Sequence, residues 1–172
     1  MTVNAADLRI MHYPSAILRR KAEPVPDVND DVRAVVARMI ALMQEEKGVG
    51  LAAPQVGLPW RLFITDIPEE GEVRVYVNPI LRLLTGERDR REEGCLSIPN
   101  IHVEIDRPLH AAIAATNLEG HRIEREVSGF VARVWQHEFD HLNGVLIIDK
   151  MSPLDRLANR KVLKELEAEG EG

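Results

Sequence analysis

The chain has 172 residues, 45% of them hydrophobic and 29% charged, a size and composition suited to one soluble globular domain spanning 1–172. With 28 acidic against 22 basic residues its formal net charge is -6, which lacks the general basic footprint of a nucleic-acid binder, and no apolar run approaches the roughly 20 residues of a membrane-spanning helix. The single cysteine, Cys95, excludes an internal disulfide, and Met1-Thr2-Val3-Asn4-Ala5-Ala6-Asp7 carries no basic stretch leading into an apolar core, so the expected location is the cytoplasm.

Between Asp27 and Gly48 the apolar residues Val32, Val35, Val36, Met39, Ile40 and Met43 recur on one face of a helix, with Asn29 or Asp30 able to cap its start and Gly48 its end. A β-rich middle follows: Leu62 to Thr65, then Val73, Val75 and Val77 alternating with Arg74 and Tyr76, then Ile80 to Leu84 after Asn78-Pro79. Arg88-Asp89-Arg90-Arg91 is a local basic run, the one feature that keeps a nucleic-acid contact in view. His110 to Thr116 and His121 to Val127 flank Asn117-Leu118-Glu119-Gly120 and read as a hairpin. Ser128 is expected to cap a second helix through Phe130, Val134, Trp135, His137 and His141, ended by Gly144. A third helix is expected from Ser152-Pro153-Leu154-Asp155 through Leu157 and Ala158 to the Leu163–Leu166 region, with a fraying tail from Glu167 to Gly172. The fold class is α+β.

The sharpest chemical feature is His137-Glu138-Phe139-Asp140-His141. Residues four apart on a helix share a face, so both imidazoles can bind one metal ion while Glu138 handles the proton of a water in an open position. A metzincin-type third histidine is excluded, because its position is Ile147. The remaining candidates for a third ligand are Glu165, Glu167 and Glu169 on the C-terminal helix, and Cys95 within Glu93-Gly94-Cys95-Leu96-Ser97-Ile98-Pro99. A Cys/His/His set with one open position matches catalytic sites, whereas structural ones are usually closed by four ligands. The third notable segment, Gly48-Val49-Gly50-Leu51-Ala52-Ala53-Pro54-Gln55-Val56-Gly57, permits close backbone approach and carries in Gln55 an amide able to stabilise an oxyanion; it lacks the Gly-Lys-Ser/Thr ending of a phosphate loop.

These three segments, Gly48 to Gly57, Glu93 to Pro99 and Gln136 to Gly144, stand in the order and approximate spacing of the signature motifs of peptide deformylases, and the chain resembles that family, in its compact branch, over nearly its whole length. The resemblance implies antiparallel β-sheets around a central metal-binding helix, with one helix in the N-terminal half and another at the C-terminus. It implies a hydrolase of N-terminal processing in protein biosynthesis, which removes the formyl group from the formyl-methionine of nascent polypeptides and releases formate. Metal-bound water would attack the formyl carbon, with Glu138 as general base and then acid. The ligands would be Cys95, His137 and His141, holding one divalent ion, iron(II) first, with zinc, nickel or cobalt able to replace it.

Gln55 and the Leu96 backbone N–H match the oxyanion donors. Val49, Gly50, Leu96, Val134 and His137, with the Glu93 backbone nearby, match the apolar slot for the methionine side chain. A transient ribosome contact is compatible with such a substrate; no membrane and no sequence-specific nucleic acid is expected. Some members carry an arginine after the second motif, where this chain reads Asn100-Ile101-His102. Trp135 is expected in the core, Asp140 as a partner of an arginine such as Arg107, and His12, His102, His110 and His121 as ordinary surface or strand histidines.

Overall fold

The computed structural model describes residues 3–84 and 86–171. Helix α1, Asp30–Glu45, starts where the Asn29 side chain accepts from the Val32 N–H at 3.0 Å, and it buries Val32, Val35, Val36, Met39, Leu42 and Met43. It ends before Gly48: Lys47, not the glycine, takes the left-handed conformation at φ 55. A Cβ at Gly48 would stand 2.8 Å from Leu96 Cδ1, so the glycine lets that side chain pack close.

Strands β1 (Gly50–Ala52), β2 (Leu62–Thr65), β3 (Arg74–Leu83), β6 (His110–Thr116) and β7 (Arg122–Ser128) form one antiparallel sheet in the order β1-β2-β3-β6-β7. The two segments expected around Asn78-Pro79 are one strand. Its pairing with β6 shifts between Val77 and Ile80, a bulge at which Asn78 has φ 50 and its side-chain amide bonds the Val25 backbone at 2.7 and 2.8 Å. The hairpin between β6 and β7 forms as expected, closed where Asn117 N–H donates to the His121 carbonyl at 2.8 Å.

Strands β4 (Arg88–Cys95) and β5 (Ile98–Pro108) make a separate two-stranded sheet. The basic run lies on β4 with its charges answered across the ladder, Arg88 to Asp106 at 2.8 Å and Arg90 to Glu104 at 3.2 Å. On β5 the buried Ile101, Val103, Ile105 and Arg107 alternate with exposed Asn100, His102, Glu104 and Asp106.

Helix α2, Phe130–Leu142, packs on β1, β2, β3 and β7 of the larger sheet and on β5 of the smaller. Ser128 is not its cap: it is the last residue of β7, and Gly129 at φ 70 stands in the N-cap position with its N–H given to the Leu109 carbonyl at 2.8 Å. An abrupt strand-to-helix reversal requires a positive φ, which glycine supplies more cheaply than serine. At the other end Gly144 has φ 73, where any side chain would also collide with the Arg19 carbonyl.

The C-terminal helix is two helices. Ser152 caps α3, Pro153–Ala158, by accepting from Asp155 N–H at 3.0 Å, and Asn159 stands at its C-cap with φ -100 and ψ 4; its backbone N–H still makes the helical bond to the Asp155 carbonyl at 2.9 Å, and its side-chain Nδ2 donates to the same oxygen at 2.8 Å. Helix α4, Arg160–Glu171, then sets Leu163 and Leu166 against Ile147 and Ile148. The tail expected to fray is helical as far as Glu171, and the Tyr13 hydroxyl donates to Glu167 at 2.7 Å; Gly172 lies outside the described residues. No helix among the described residues is long and apolar enough to cross a membrane.

Candidate metal centre and its pocket

Three elements meet at the centre. The first motif runs through β1 into a short turn, Ala53–Val56, where Gln55 is buried and its Oε1 accepts from the Ala52 N–H at 2.9 Å. That bond orients Nε2 the other way, 3.2 Å from Ser97 Oγ and 3.6 Å from Cys95 Sγ. The second motif is the turn joining β4 to β5, with Cys95 paired to Ile98 across it. The third is α2. An N-terminal arm ties the first two together, since Met11 N–H donates to the Gln55 carbonyl at 2.7 Å and Tyr13 N–H to the Ser97 carbonyl at 2.8 Å.

Cys95, His137 and His141 each present a ligand atom, and those atoms lie within 4.8 Å of one another; Cys95 Sγ is 3.4 Å from His141 Nε2. His137 Nδ1 is 3.0 Å from Glu93 Oε1, which leaves Nε2 to face the cluster. Glu138 is buried next to it, its Oε1 4.0 Å from His137 Nε2. Gly50 makes room for that carboxylate, because a Cβ at 50 would stand 2.6 Å from Glu138 Oε1.

Glu93 is more than a backbone neighbour of the pocket. Its carboxylate is buried and takes Arg107 in a two-pronged contact at 2.6 and 2.9 Å, Arg133 at 2.5 Å, and His137. Burial alone would raise its pKa, but the hydrogen bonds from His137 and Arg107 and the charge of Arg107 outweigh it and hold the carboxyl well below the usual range. Arg107 reaches on to Asp140 at 3.0 Å, as expected from sequence, and Lys150 approaches the same carboxylate at 3.7 Å.

Glu138 is moved the other way. Burial lifts it to about 7, and the negative charges of Glu93 and Asp140 add to that while His137 and Arg107 oppose it. Of the two histidines, His137 is raised well above its ordinary value although burial pulls it down, because its hydrogen bonds to Cys95 and Glu93 and the Glu138 charge prevail. His141 is pushed well below by burial and by the positive His137 and Arg107. The two imidazoles are thus driven in opposite directions by the same buried surroundings. Glu138 Oε2 is sealed from solvent with no protein partner, as is His141 Nδ1. A buried carboxylate oxygen left unpaired beside soft and imidazole donors fits a divalent ion carrying a water ligand.

The candidate residues Val49, Gly50, Gln55, Glu93, Cys95, Leu96, Val134, His137 and Glu138 all line one cavity of about 390 Å³, with His141 behind them in the ligand cluster. Sequence reasoning missed Lys47, Glu92, His102, Phe130 and Arg133 in the same wall. For Arg133 a signal existed: 133, 137 and 141 follow the four-residue spacing that brought the histidines together. His102 is not wholly ordinary, since it stands over Gly94 at the cavity and lies 3.5 Å from Glu92. Trp135 is in the core against Tyr76, as expected.

The family model for polypeptide deformylase matches residues 7–157. A peptide deformylase of Thermotoga sp. (strain RQ2) is 46% identical over 158 residues, covering 92% of this chain and 95% of its own. Among solved structures, the peptide deformylase of Thermotoga maritima is 43% identical with a TM-score of 0.80, covering 85% of this chain and 98% of its own. That of Plasmodium falciparum in complex with an inhibitor is 37% identical with a TM-score of 0.86, covering 93% and 99%.

Proposed function

The chain belongs to the polypeptide deformylase family, and on that premise we propose how its residues divide the work. The protein is an enzyme, a metal-dependent hydrolase that removes the N-formyl group from the formyl-methionine of newly made polypeptides and releases formate. The observation that carries the assignment to particular residues is the convergence of the Cys95, His137 and His141 ligand atoms within 4.8 Å, with the unpaired Glu138 carboxylate beside them.

Cys95, His137 and His141 would hold the ion, and Glu93 orients His137 from behind. When bound, the ion acts as a Lewis acid, lowering the pKa of a water and polarising the formyl oxygen. Glu138 takes the proton of the attacking water and passes it to the departing amine; a carboxyl lifted to about 7 is suited to both steps near neutrality. As charge develops on the former formyl oxygen, Gln55 Nε2 and the Leu96 backbone N–H stabilise it, a reading supported by the 3.6 Å between Nε2 and Cys95 Sγ. The methionine side chain enters the cavity beside Val49, Leu96 and Val134, and the peptide backbone runs along Val49 and Gly50 as an added strand, which serves many nascent chains alike.

Iron(II) is the ion we assign, although zinc, nickel and cobalt suit the same donors. The reducing cytoplasm, where a lone thiolate ligand survives, is the matching compartment, and the whole of 1–172 acts as one catalytic domain. The test is formate release from formyl-Met-Ala-Ser by anaerobically prepared, metal-loaded protein. Formate in step with a new free amine is expected; cleavage of the peptide bonds without formate would replace this reading with a peptidase.

A further inference from the structure

The slot expected for the methionine side chain is apolar, yet a guanidinium stands in its wall. Arg133 lines the cavity with Val49, Leu96 and Val134 and is only 6% exposed. Its terminal nitrogens are occupied: Nη1 donates to Glu93 Oε2 at 2.5 Å and to the Ile105 carbonyl at 3.0 Å, and Nη2 to the Asp89 carbonyl at 2.7 Å. The Nε–H has no acceptor among the described residues. One donor of a guanidinium in the cavity wall is thus left over, and the group is held in place by three bonds.

What fills such a cavity sets what that donor can bond. A purely aliphatic side chain leaves it unsatisfied, a thioether sulfur offers a weak acceptor, and a sulfoxide oxygen offers a strong one. We propose that Arg133 is a specificity-determining residue of this pocket, donating from Nε–H to an acceptor on the substrate's first side chain, so that peptides beginning with formyl-methionine sulfoxide are substrates and the aliphatic formyl-norleucine is disfavoured against methionine. The inference rests on the deformylase reading and leaves the reaction unchanged. Water adds hydroxyl to the formyl carbon, the carbon–nitrogen bond breaks, the proton goes to the amine, and the sulfoxide is neither oxidised nor reduced.

The test compares kcat/KM of the metal-loaded enzyme for formyl-Met-Ala-Ser, for the R and S sulfoxide epimers of that peptide, and for formyl-norleucyl-Ala-Ser. At least one epimer is expected within about tenfold of methionine, the two epimers are expected to differ because the donor is fixed, and norleucine is expected below methionine. In Arg133→Leu the sulfoxide should fall by about tenfold or more relative to methionine, the scale of one hydrogen bond from a charged donor. Arg133→Lys, which keeps a cation for Glu93 but has no Nε–H, should fall in the same direction. Methionine turned over with both sulfoxides about a hundredfold slower would overturn the inference alone, as would a sulfoxide-to-methionine ratio unchanged in either variant. If neither variant folds, the wild-type series decides. Wild-type protein releasing formate from none of the peptides would overturn the deformylase reading and this inference together.

Discussion

The interior behind α1 and the interior beside α2 are built from different materials. Val35, Val36, Met39 and Met43 meet Leu51, Leu62 and Ile64 with no charge among them. Beside α2, Glu93, Arg107, Arg133, Glu138 and His141 are all buried. The apolar half needs only correct volume and periodicity. The charged half needs named partners: a single carboxylate, Glu93, answers Arg107, Arg133 and His137 at once, so removing any one leaves the others mismatched. What the difference teaches is where to look for function. In the charged half the atoms left without a partner, Glu138 Oε2 and His141 Nδ1, are on residues of the candidate metal centre.

Substitutions can break that contrast. The largest effect is expected for Cys95→Ser: most bound metal is lost, and formate release with it, as measured by metal content and turnover on the same sample. Full occupancy with ordinary turnover would show that Cys95 is not a ligand. Glu138→Ala is expected to keep the metal and lower kcat by about two to four powers of ten, the range for a general acid–base group. Metal lost together with activity would mean that Glu138 builds the site instead of working in it.

Met39→Ala probes the other half. It should cost about 2–5 kcal/mol in urea unfolding, the usual penalty for a large core truncation, while kcat/KM of the folded protein stays unchanged. A catalytic loss at constant stability would show that the two halves are coupled.

The smallest effect is a pH slope in the metal-free protein. Glu138, lifted to about 7 from 4.5, keeps in the folded state a proton that the unfolded chain has released, so its contribution to stability declines as pH rises across that interval. Glu93 acts oppositely: its depressed pKa adds stability above its ordinary value of 4.5, and this is lost as pH falls through the folded pKa. Glu138→Gln should therefore gain on the wild type in urea midpoint between about pH 4.5 and 7, and a constant difference across that range would contradict the assigned shift.

Much of this architecture was legible because it is local. The α1 stripe, β2, the β6–β7 hairpin and the paired histidines of α2 each follow from a spacing of two to four residues, set by backbone geometry alone. The alternation of Ile101, Val103 and Ile105 with His102, Glu104 and Asp106 was equally available and marks β5, although its partner β4, charged at nearly every position, has no such pattern. Other features ran against local rules. Asn159 stands at a helix end inside what reads as one continuous helix, and Gly129 displaces Ser128 as cap because the chain must turn sharply out of β7.

The sequence by itself singled out the residues proposed to carry the chemistry: the His137-Glu138-Phe139-Asp140-His141 spacing, one cysteine, and a glycine-bounded segment around Gln55. Only the tertiary structure decided their company. It brought Cys95 to His141 across 46 residues, turned Glu93 inward beneath His137 across 44, lifted Glu138 to about 7 and set Arg133 in the pocket wall. The reason is physical: helix and strand periods are written in neighbouring residues, whereas desolvation and Coulomb interaction depend on distance through space, and that distance exists only once the sheets have closed around α2.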